Sequence, residues 1–353
     1  LSVNDTGTAL TRFGGTGRTL TLITGAFDYT ANGSSASAET FGGLTSTWGA
    51  NRLTLNNAGA ANATLTFAGG AFAVGGGSVL NLVSQQTFNA TTNRVVFSAN
   101  NPSASALVAV GSGGVVNNLS NVLTMTSTAG FEVGMSLSGT NIPAGTTVQS
   151  VTNGTQLVMS QNATGTTSAL TINAGNGLLP RVVLTEAGGS NFAIYNGLTA
   201  AGNIQAFTRY KVSDGSGTGT DLTFTNASGG TAYGLNAALA TNSVYSVYSV
   251  LPVVQVSGDT TALSNPGLNL RLIDAMKITG SGTDVTFGTS GGTQLALATG
   301  MLLSTGANQS IGNAALVALG SAPAIAFGSF PNTNSPASAT VPSLTSAEGA
   351  LLV

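Results

Sequence analysis

The densest group of residues that could carry chemistry is the segment RLIDAMK, residues 271–277. Its guanidinium, carboxylate and amine, on Arg271, Asp274 and Lys277, are groups that acid–base and polysaccharide-cleaving chemistry uses. On a β-strand Arg271 and Lys277 share one face and Asp274 lies on the other, so the three side chains do not converge locally. Structural ion pairing or plain solubility is the favoured interpretation. Paired carboxylates for glycoside hydrolysis would have to come from distant parts of the chain.

A second candidate is a calcium-binding turn in SDGSGTGTDLTF, where Asp214 and Asp221 flank a Gly-rich stretch. Carboxylate and carbonyl oxygens on a tight turn are the ligands that calcium requires. The segment lacks the bidentate Glu that ends an EF-hand loop, and no tandem GGxGxD nonapeptide occurs. The related corner near Asp284 has no counterpart of Asp214. The sequence favours an ordinary turn, and we predict no catalytic, cofactor-binding or metal-binding residue.

Two residue types that carry much of enzyme chemistry are missing, because the chain has no Cys and no His. Their absence excludes disulfides, thiolate metal sites, cysteine nucleophiles, and the commonest general base and metal ligand. We therefore expect a protein that is not an enzyme and has no cofactor.

Charge is scarce, at 6% of the 353 residues, against roughly 25% in typical soluble domains. With 42% hydrophobic residues and a net charge of -2, the chain differs from disordered segments and can bury a large core. Its solubility must come from hydroxyl and amide groups. Such a neutral surface does little to keep copies of the chain apart.

Two classes of partner are not predicted. Nucleic acid is one, because the nine basic residues are scattered and form no basic patch. Membrane insertion is the other, because no stretch approaches the roughly 18 uninterrupted apolar residues of a spanning helix.

Strand patterns dominate the sequence. Short runs of apolar, Thr and β-branched residues are bounded by Gly, Asn or Ala, which is typical of strands between tight corners. Helical spacing is scarce, and NAALVALG at residues 313–320 is the best helix candidate. The clearest strand runs are TLTLI at 19–23, LTL at 53–55, TLTF at 64–67, VLNLV at 79–83 and RVVF at 94–97. We expect an all-β protein.

An internal similarity favours a solenoid over a sandwich. The segment GTGTDLTFTNASGGT begins at Gly217, and the similar segment GSGTDVTFGTSGGT begins at Gly280. The distance between the two starts divides into three coils of roughly 21 residues each, within the range of solenoid repeats. In stacked coils Phe224 and Phe287 would both point into the core.

The chain divides into four segments by pattern. Residues 1–121 and 176–327 have the rhythm of β-helix coils, and residues 122–175 have the hairpin connections of a small inserted antiparallel β module. Residues 328–353 contain Pro331, Pro336 and Pro342 among small polar residues and are predicted to be an extended C-terminal segment.

Two parts of the chain resemble the passenger regions of bacterial autotransporter-type proteins with autotransporter-associated β-strand repeats. They are FGGLTSTWGANRLTLNNAGAANATLTFAGGAF with the later NRVVFS, and GLLPRVVLTEAGGSNFAIYNGLTAAGNIQAFTRY at 177–210. The resemblance implies a right-handed parallel β-helix displayed outside a bacterial cell, with a structural or adhesive role. It carries no catalytic residue over to this chain.

Three functional hypotheses follow. The first is an extracellular structural protein that assembles into a surface fibre, sheath or matrix through its solenoid ends, the Leu1 segment and the terminal GALLV. The second is an adhesin that binds glycans through the inserted module or an aromatic stretch. The third is a polysaccharide-degrading β-helix enzyme that uses Asp274 or Lys277. The aromatic stretch contains Phe192, Tyr195, Phe207 and Tyr210.

Overall fold

The computed structural model describes most of the chain. The described residues are 1–5, 13, 15–57, 59, 61–89, 91–97, 108–128, 131–143, 145–196, 203–213, 223–225, 231–233, 253–258, 260–262, 270–287, 294–311, 324–329, 345–346 and 350–352. They contain strands and no helix, which confirms the all-β prediction. The helix candidate at 313–320 lies outside these residues.

The first part of the chain forms two parallel sheets that wind as a solenoid. One sheet contains β1, β3, the second half of β4, and β6, and the other contains β2, the first half of β4, β5 and β7. The strands are β1 Ser2–Asn4, β2 Gly15–Ile23, β3 Ala26–Thr30, β4 Ser37–Asn56, β5 Ala63–Val74, β6 Ser78–Ser84 and β7 Asn93–Phe97.

The 20-residue strand β4 shows how one coil turns from sheet to sheet. Its residues 37–46 pair with β5, and its residues 49–55 pair with β6. Between them lies a corner at which Gly49 has φ of +71° and Gly77 in the next coil has φ of +72°. Only glycine adopts this left-handed conformation at little cost. A Cβ on Gly77 would also lie 2.8 Å from the ring of Trp48.

Side chains that point inward form columns through the coils. Phe27 pairs with Leu53, Leu53 with Leu82, and Leu82 with Leu184, and all four are buried. In the other sheet Phe41, Phe67 and Phe97 lie in register, with ring centroids 5.6 and 5.2 Å apart and ring planes within 22° of parallel. One largely aliphatic column and one aromatic column therefore form the core of this solenoid section.

Buried asparagines satisfy the backbone at the corners. Asn51 is 2% exposed, and its Nδ2 donates to Trp48 O at 2.8 Å and to Ser46 Oγ at 2.9 Å. Its Oδ1 accepts from the backbone N–H of Gly25 in the preceding coil at 2.9 Å. These contacts fix the corner because each buried backbone group must find a partner.

The inserted module is a six-stranded antiparallel sheet with its own buried cluster. Strand β8 pairs with both β13 and β9, so the sheet begins before the predicted boundary at residue 122. The sequence missed β8 because its glycines interrupt the alternation of apolar residues. The strands are β8 Val108–Val116, β9 Val122–Thr124, β10 Ser136–Ser138, β11 Val148–Asn153, β12 Gln156–Met159 and β13 Thr167–Gly175.

A hairpin connects the module back to the solenoid. Strand β14, Leu178–Glu186, pairs in parallel with β6 and thereby continues the first stack. Strands β15, Gly189–Asn196, and β16, Asn203–Ala206, then add to β14 in antiparallel order. The direction of strand pairing therefore changes at this hairpin.

A second stack of parallel strands follows. The strands β17, β20, β22, β24 and β26 pair in that order, and β28 pairs with a later part of β24. Together the parallel strands form a β-solenoid of about eight coils. The strands are β17 Lys211–Ser213, β18 Thr223–Thr225, β19 Thr231–Tyr233, β20 Val253–Val256, β21 Thr260–Ala262, β22 Leu270–Ile278, β23 Asp284–Phe287, β24 Gln294–Ser304, β25 Ser310–Ile311, β26 Ala324–Ser329, β27 Thr345–Ser346 and β28 Ala350–Leu352.

The coils vary in length, and most are longer than the internal similarity predicted. Val253 lies opposite Ala275 on the neighbouring coil, whereas Gln294 lies opposite Ala324, so the chain runs further between the second pair. Corners of variable length absorb the difference, since surface connections tolerate insertion.

The predicted equivalence of Phe224 and Phe287 is wrong. Phe224 lies in β18, which forms an antiparallel hairpin with β19, whereas Phe287 lies in β23, which pairs in parallel with β21. The two segments share a strand flanked by Gly-rich corners, and that composition suits a hairpin as well as a coil. The internal similarity of the segments that begin at Gly217 and Gly280 therefore predicted the solenoid correctly but aligned two strands that are not equivalent in it.

Removal of one aromatic ring from the Phe column should destabilise the first stack strongly. Phe67 is fully buried between Phe41 and Phe97, so we expect Phe67→Ala to cost about 3 to 5 kcal/mol of unfolding free energy. Chemical denaturation followed by circular dichroism measures this loss. The matched control is Phe72→Ala, on a partly buried ring at the edge of the column. Equal losses for the two variants would contradict the central place of Phe67 in the core.

Candidate functional site

At each end of the solenoid, the described strands pair with a neighbouring described strand on one side only. Among the described strands, β1 pairs only with β3, and β2 pairs only with β4. At the other end, β28 pairs only with β24, and the first four residues of β26 pair on one side only, again with β24. An open edge is a template for another strand, so these ends are candidate interaction sites.

The hydrogen bonds of the first stack show which groups point to the open edge. The outward-facing residues Asp28 and Arg52 donate their backbone N–H groups to the preceding coil, at Leu1 O and Gly25 O, with distances of 2.8 and 2.9 Å. Backbone groups alternate in direction along a strand. By the same alternation the exposed, outward-facing Ser2 of β1 directs its N–H and C=O away from β3.

The edge strand β2 follows the same rule. Leu20 and Leu22 face the core, whereas Thr19 and Thr21 face outward and are exposed. The inward residues direct their backbone groups toward β4, and the outward ones direct theirs toward the open edge. Ser2 and Thr21 therefore mark the N-terminal edges of the two sheets.

An exposed apolar corner lies beside this end. Leu1 is 73% exposed, Ile23 is 65% exposed and Trp48 is 64% exposed. Ile23 ends the edge strand β2, and Trp48 lies in register with it on the next coil. Large apolar side chains exposed next to each other, as Ile23 and Trp48 are, are unusual on a soluble protein and indicate an interaction site for another molecule.

The charged segment at 271–277 lies in strand β22, where the structure describes the side chains of Asp274 and Lys277. Asp274 accepts a hydrogen bond from Asn176 Nδ2 at 2.7 Å. Burial raises the pKa of the Asp274 carboxyl to about 7, and the hydrogen bond lowers this pKa by a smaller amount. Lys277 is 8% exposed, and burial lowers the pKa of its amine. Arg271 is placed by its backbone, in β22 opposite Leu295 of β24.

Lys277 reaches a carboxamide on the hairpin. Its Nζ donates to Asn191 Oδ1 at 2.6 Å, and the same oxygen accepts from Tyr210 Oη at 3.3 Å. The amine also lies 5.4 Å from the centre of the Tyr210 ring. Burial raises the pKa of the Tyr210 hydroxyl, against a lowering by its hydrogen bond from Phe192 N, so the hydroxyl stays protonated and remains a donor.

Arg209 connects the same region to the inserted module. Its Nη2 donates to Asn176 O at 2.7 Å, and its guanidinium lies 5.0 Å from the ring centre of Phe207. Burial lowers the pKa of Arg209, and the charge of Glu132 in the module opposes this shift. A Cβ on Gly134 of the module would lie 2.9 Å from Nη1 of Arg209. Module, hairpin and second stack therefore meet in one polar junction.

The aromatic stretch proposed for sugar contacts belongs to the interior. Phe192, Tyr195 and Phe207 are at most 3% exposed, and Tyr210 packs against the cluster that contains Phe192 and Phe207. Tyr195 Oη donates to Phe97 O at 2.6 Å. These side chains are therefore part of the ordinary core.

The proposed calcium turn is not described as a whole, since Asp214 and Asp221 lie outside the described residues. Asp284 lies in β23, opposite Ser310 of β25. Among the described residues no three His, Cys, Asp or Glu side chains are grouped so that they could hold a metal ion. In the same part of the chain no helix is long and apolar enough to cross a membrane.

Sequence pattern could not have found the Lys277 contacts, because Asn191 precedes Lys277 by 86 positions and Tyr210 also belongs to an earlier part of the chain. The available signal was a lysine in a strand rich in apolar residues, since a buried lysine needs a partner. The chain matches no protein-family model, no curated protein and no solved structure. A proposal for the function must therefore rest on the fold and on the chemistry of the residues.

The raised pKa of Asp274 should appear in the pH dependence of stability. Between the ordinary value of 3.8 and about 7, the folded protein keeps a proton on Asp274 that the unfolded chain has lost. The free energy of unfolding should therefore fall as pH rises through this window and level off above it. Asp274→Asn should remove this part of the slope.

Chemical denaturation midpoints between pH 4 and pH 8 measure the effect. Burial also raises the pKa of Glu186, and the hydrogen bond from the Phe88 backbone N–H opposes this with a smaller effect. The difference between wild type and Asp274→Asn therefore separates the contribution of Asp274 from that of Glu186. Parallel curves for the two proteins would contradict the assignment.

Proposed function

We propose that this chain is a non-enzymatic, extracellular structural protein that assembles end to end into a bacterial surface fibre, sheath or matrix. The observation that carries the proposal is that, among the described strands, those at the two ends of the solenoid pair on one side only. The in-register pair Ile23 and Trp48, and separately Leu1, expose apolar side chains at the N-terminal end and offer an apolar contact. The low charge of the whole chain removes a barrier to close approach of copies.

The geometry favours a head-to-tail contact. The N-terminal edges of one copy, β1 and β2, would continue the parallel stack of the next copy at β26 and β28, whose pairing with β24 is also parallel. Such a contact joins two different surfaces, and a contact of this type that does not close into a ring gives an open filament. The terminal strand β28, ALL, is apolar, as an added layer requires.

The first test is electron microscopy of the purified chain at rising concentration. We expect filaments whose axial repeat is one solenoid length. A chain with Ser2→Pro and Thr21→Pro should give isolated rods, because proline removes the N–H that points to each open edge and is tolerated on an edge strand. Circular dichroism should show that the fold is retained.

The control carries Ser2→Ala and Thr21→Ala, which keep both N–H groups and should assemble as wild type does. Isolated wild-type rods at every concentration would exclude the fibre proposal. Wild-type filaments that the proline chain forms equally well would show that assembly uses a surface other than the N-terminal edges.

A second candidate function, adhesion to glycans, is supported by Trp48. This indole is the chain's single tryptophan and is 64% exposed beside Ile23. An exposed indole offers the flat apolar surface on which sugar rings stack, with an N–H for a hydroxyl partner.

On a glycan array Trp48→Ala should lose any binding that wild type shows. The control Leu119→Ala, on an exposed apolar residue of the module, should keep it; equal binding by all three would exclude a role for Trp48.

A further inference from the structure

We propose that Lys277 and Asn191 form an intramolecular amide bond that joins the hairpin to the second stack. This bond would link two residues that are 86 positions apart, in a chain that has no cysteine for a disulfide. The inference concerns the folded monomer and does not depend on assembly.

The reacting groups are already in contact. Lys277 Nζ lies 2.6 Å from Asn191 Oδ1, and the carbon that the amine must attack, Cγ, is bonded to that oxygen. Strands β15 and β22 hold the two residues, so neither lies on a loop. Groups positioned in this way react with a large entropic advantage over free amine and amide.

The surroundings favour the reactive form of each group. Lys277 is 8% exposed, and burial lowers the pKa of the amine, so the neutral nucleophile becomes more accessible than in water. The Tyr210 hydroxyl donates to Asn191 Oδ1 at 3.3 Å. This donor would stabilise the negative charge that develops on the oxygen during attack. Tyr210 therefore acts as the polarising group.

The reaction balances without an oxidant or cofactor. The lone pair of neutral Nζ attacks Asn191 Cγ and forms a carbon–nitrogen bond, and the carbonyl electron pair moves onto Oδ1. When the carbonyl re-forms, the bond from Cγ to Nδ2 breaks. Nδ2 leaves as ammonia with one proton from Nζ, so amine and carboxamide give a substituted amide and ammonia.

The amide would lie where the two stacks are otherwise joined by one apolar cluster and a few polar contacts. The cluster at this point combines Phe192 and Phe207 of the hairpin region with Val253, Ala275 and Met301 of the second stack. A covalent link across it resists shear between the two stacks, which apolar contacts alone resist only weakly because they are non-directional.

The test is the intact mass of the purified full-length chain under denaturing conditions. We expect a mass below that of the sequence by one ammonia. Trypsin digestion and tandem mass spectrometry should then find a branched peptide that contains Asn191 and Lys277, with no cleavage after Lys277. The branched peptide is the decisive result, because loss of ammonia also accompanies cyclisation of an asparagine with its own backbone.

Variants assign the loss to these residues. Lys277→Arg keeps the positive charge and Asn191→Ala removes the carboxamide, and both should have the full sequence mass. The chain's other lysine, Lys211, provides the matched control, and Lys211→Arg should still lose ammonia. Tyr210→Phe should slow the loss about a hundredfold.

Two results would overturn the proposal. One is a folded wild-type chain that retains the full sequence mass after prolonged incubation. The other is ammonia loss that persists in Lys277→Arg, which would assign the loss to cyclisation of an asparagine with its own backbone.

Discussion

The fold depends on the stacking of unlike coils at one strand spacing, about 4.8 Å. At that spacing each side chain contacts the equivalent side chain of the next coil. A column of stacked side chains therefore packs well when its members are similar in size, and like charges within it repel each other. The aliphatic column shows the constraint, because Leu82 is followed by Leu184 although the whole inserted module lies between them in sequence. An apolar residue occupies each level of this column in the first stack although the coils differ in length. The same constraint accounts for the scarcity of charge.

Several charged and buried polar groups lie outside the apolar columns. The Arg52–Asp28 ion pair, at 3.2 Å, lies on the outer face and joins neighbouring coils through opposite charges. Asn51 lies at a corner, where the chain leaves one sheet and its backbone groups lose their ladder partners. Lys277 and Asp274 lie at the junction, where strand pairing changes from parallel to antiparallel. Asn51 therefore marks a corner between two sheets, and Lys277 and Asp274 mark the contact between the two stacks.

The sequence predicts the features that depend on local pattern, which are the strands, their core-facing side chains and the corners between them. The alternation in VLNLV and the Phe at the end of TLTF place Leu80, Leu82 and Phe67 in the core, and Gly and Asn mark corners such as Gly77 and Asn51. Coil length and register were not predictable, because Gly-rich composition is shared by coils and hairpins, as β18 shows. The junction was not predictable either. The sequence placed Lys277 on the same strand face as Arg271 but could not supply its partner, because Asn191 belongs to a different stack and is specified only by tertiary packing.

The junction also determines what the open ends can do. A filament built through solenoid ends must transmit load along each subunit, and within either stack that load passes through parallel ladders of many hydrogen bonds. Between the stacks it passes through the hairpin, one apolar cluster and a few polar contacts. The weakest element in series limits the strength of the whole. A structural role therefore places its strongest requirement at the junction, and a buried lysine held against a carboxamide is chemistry that meets this requirement in a chain without cysteine.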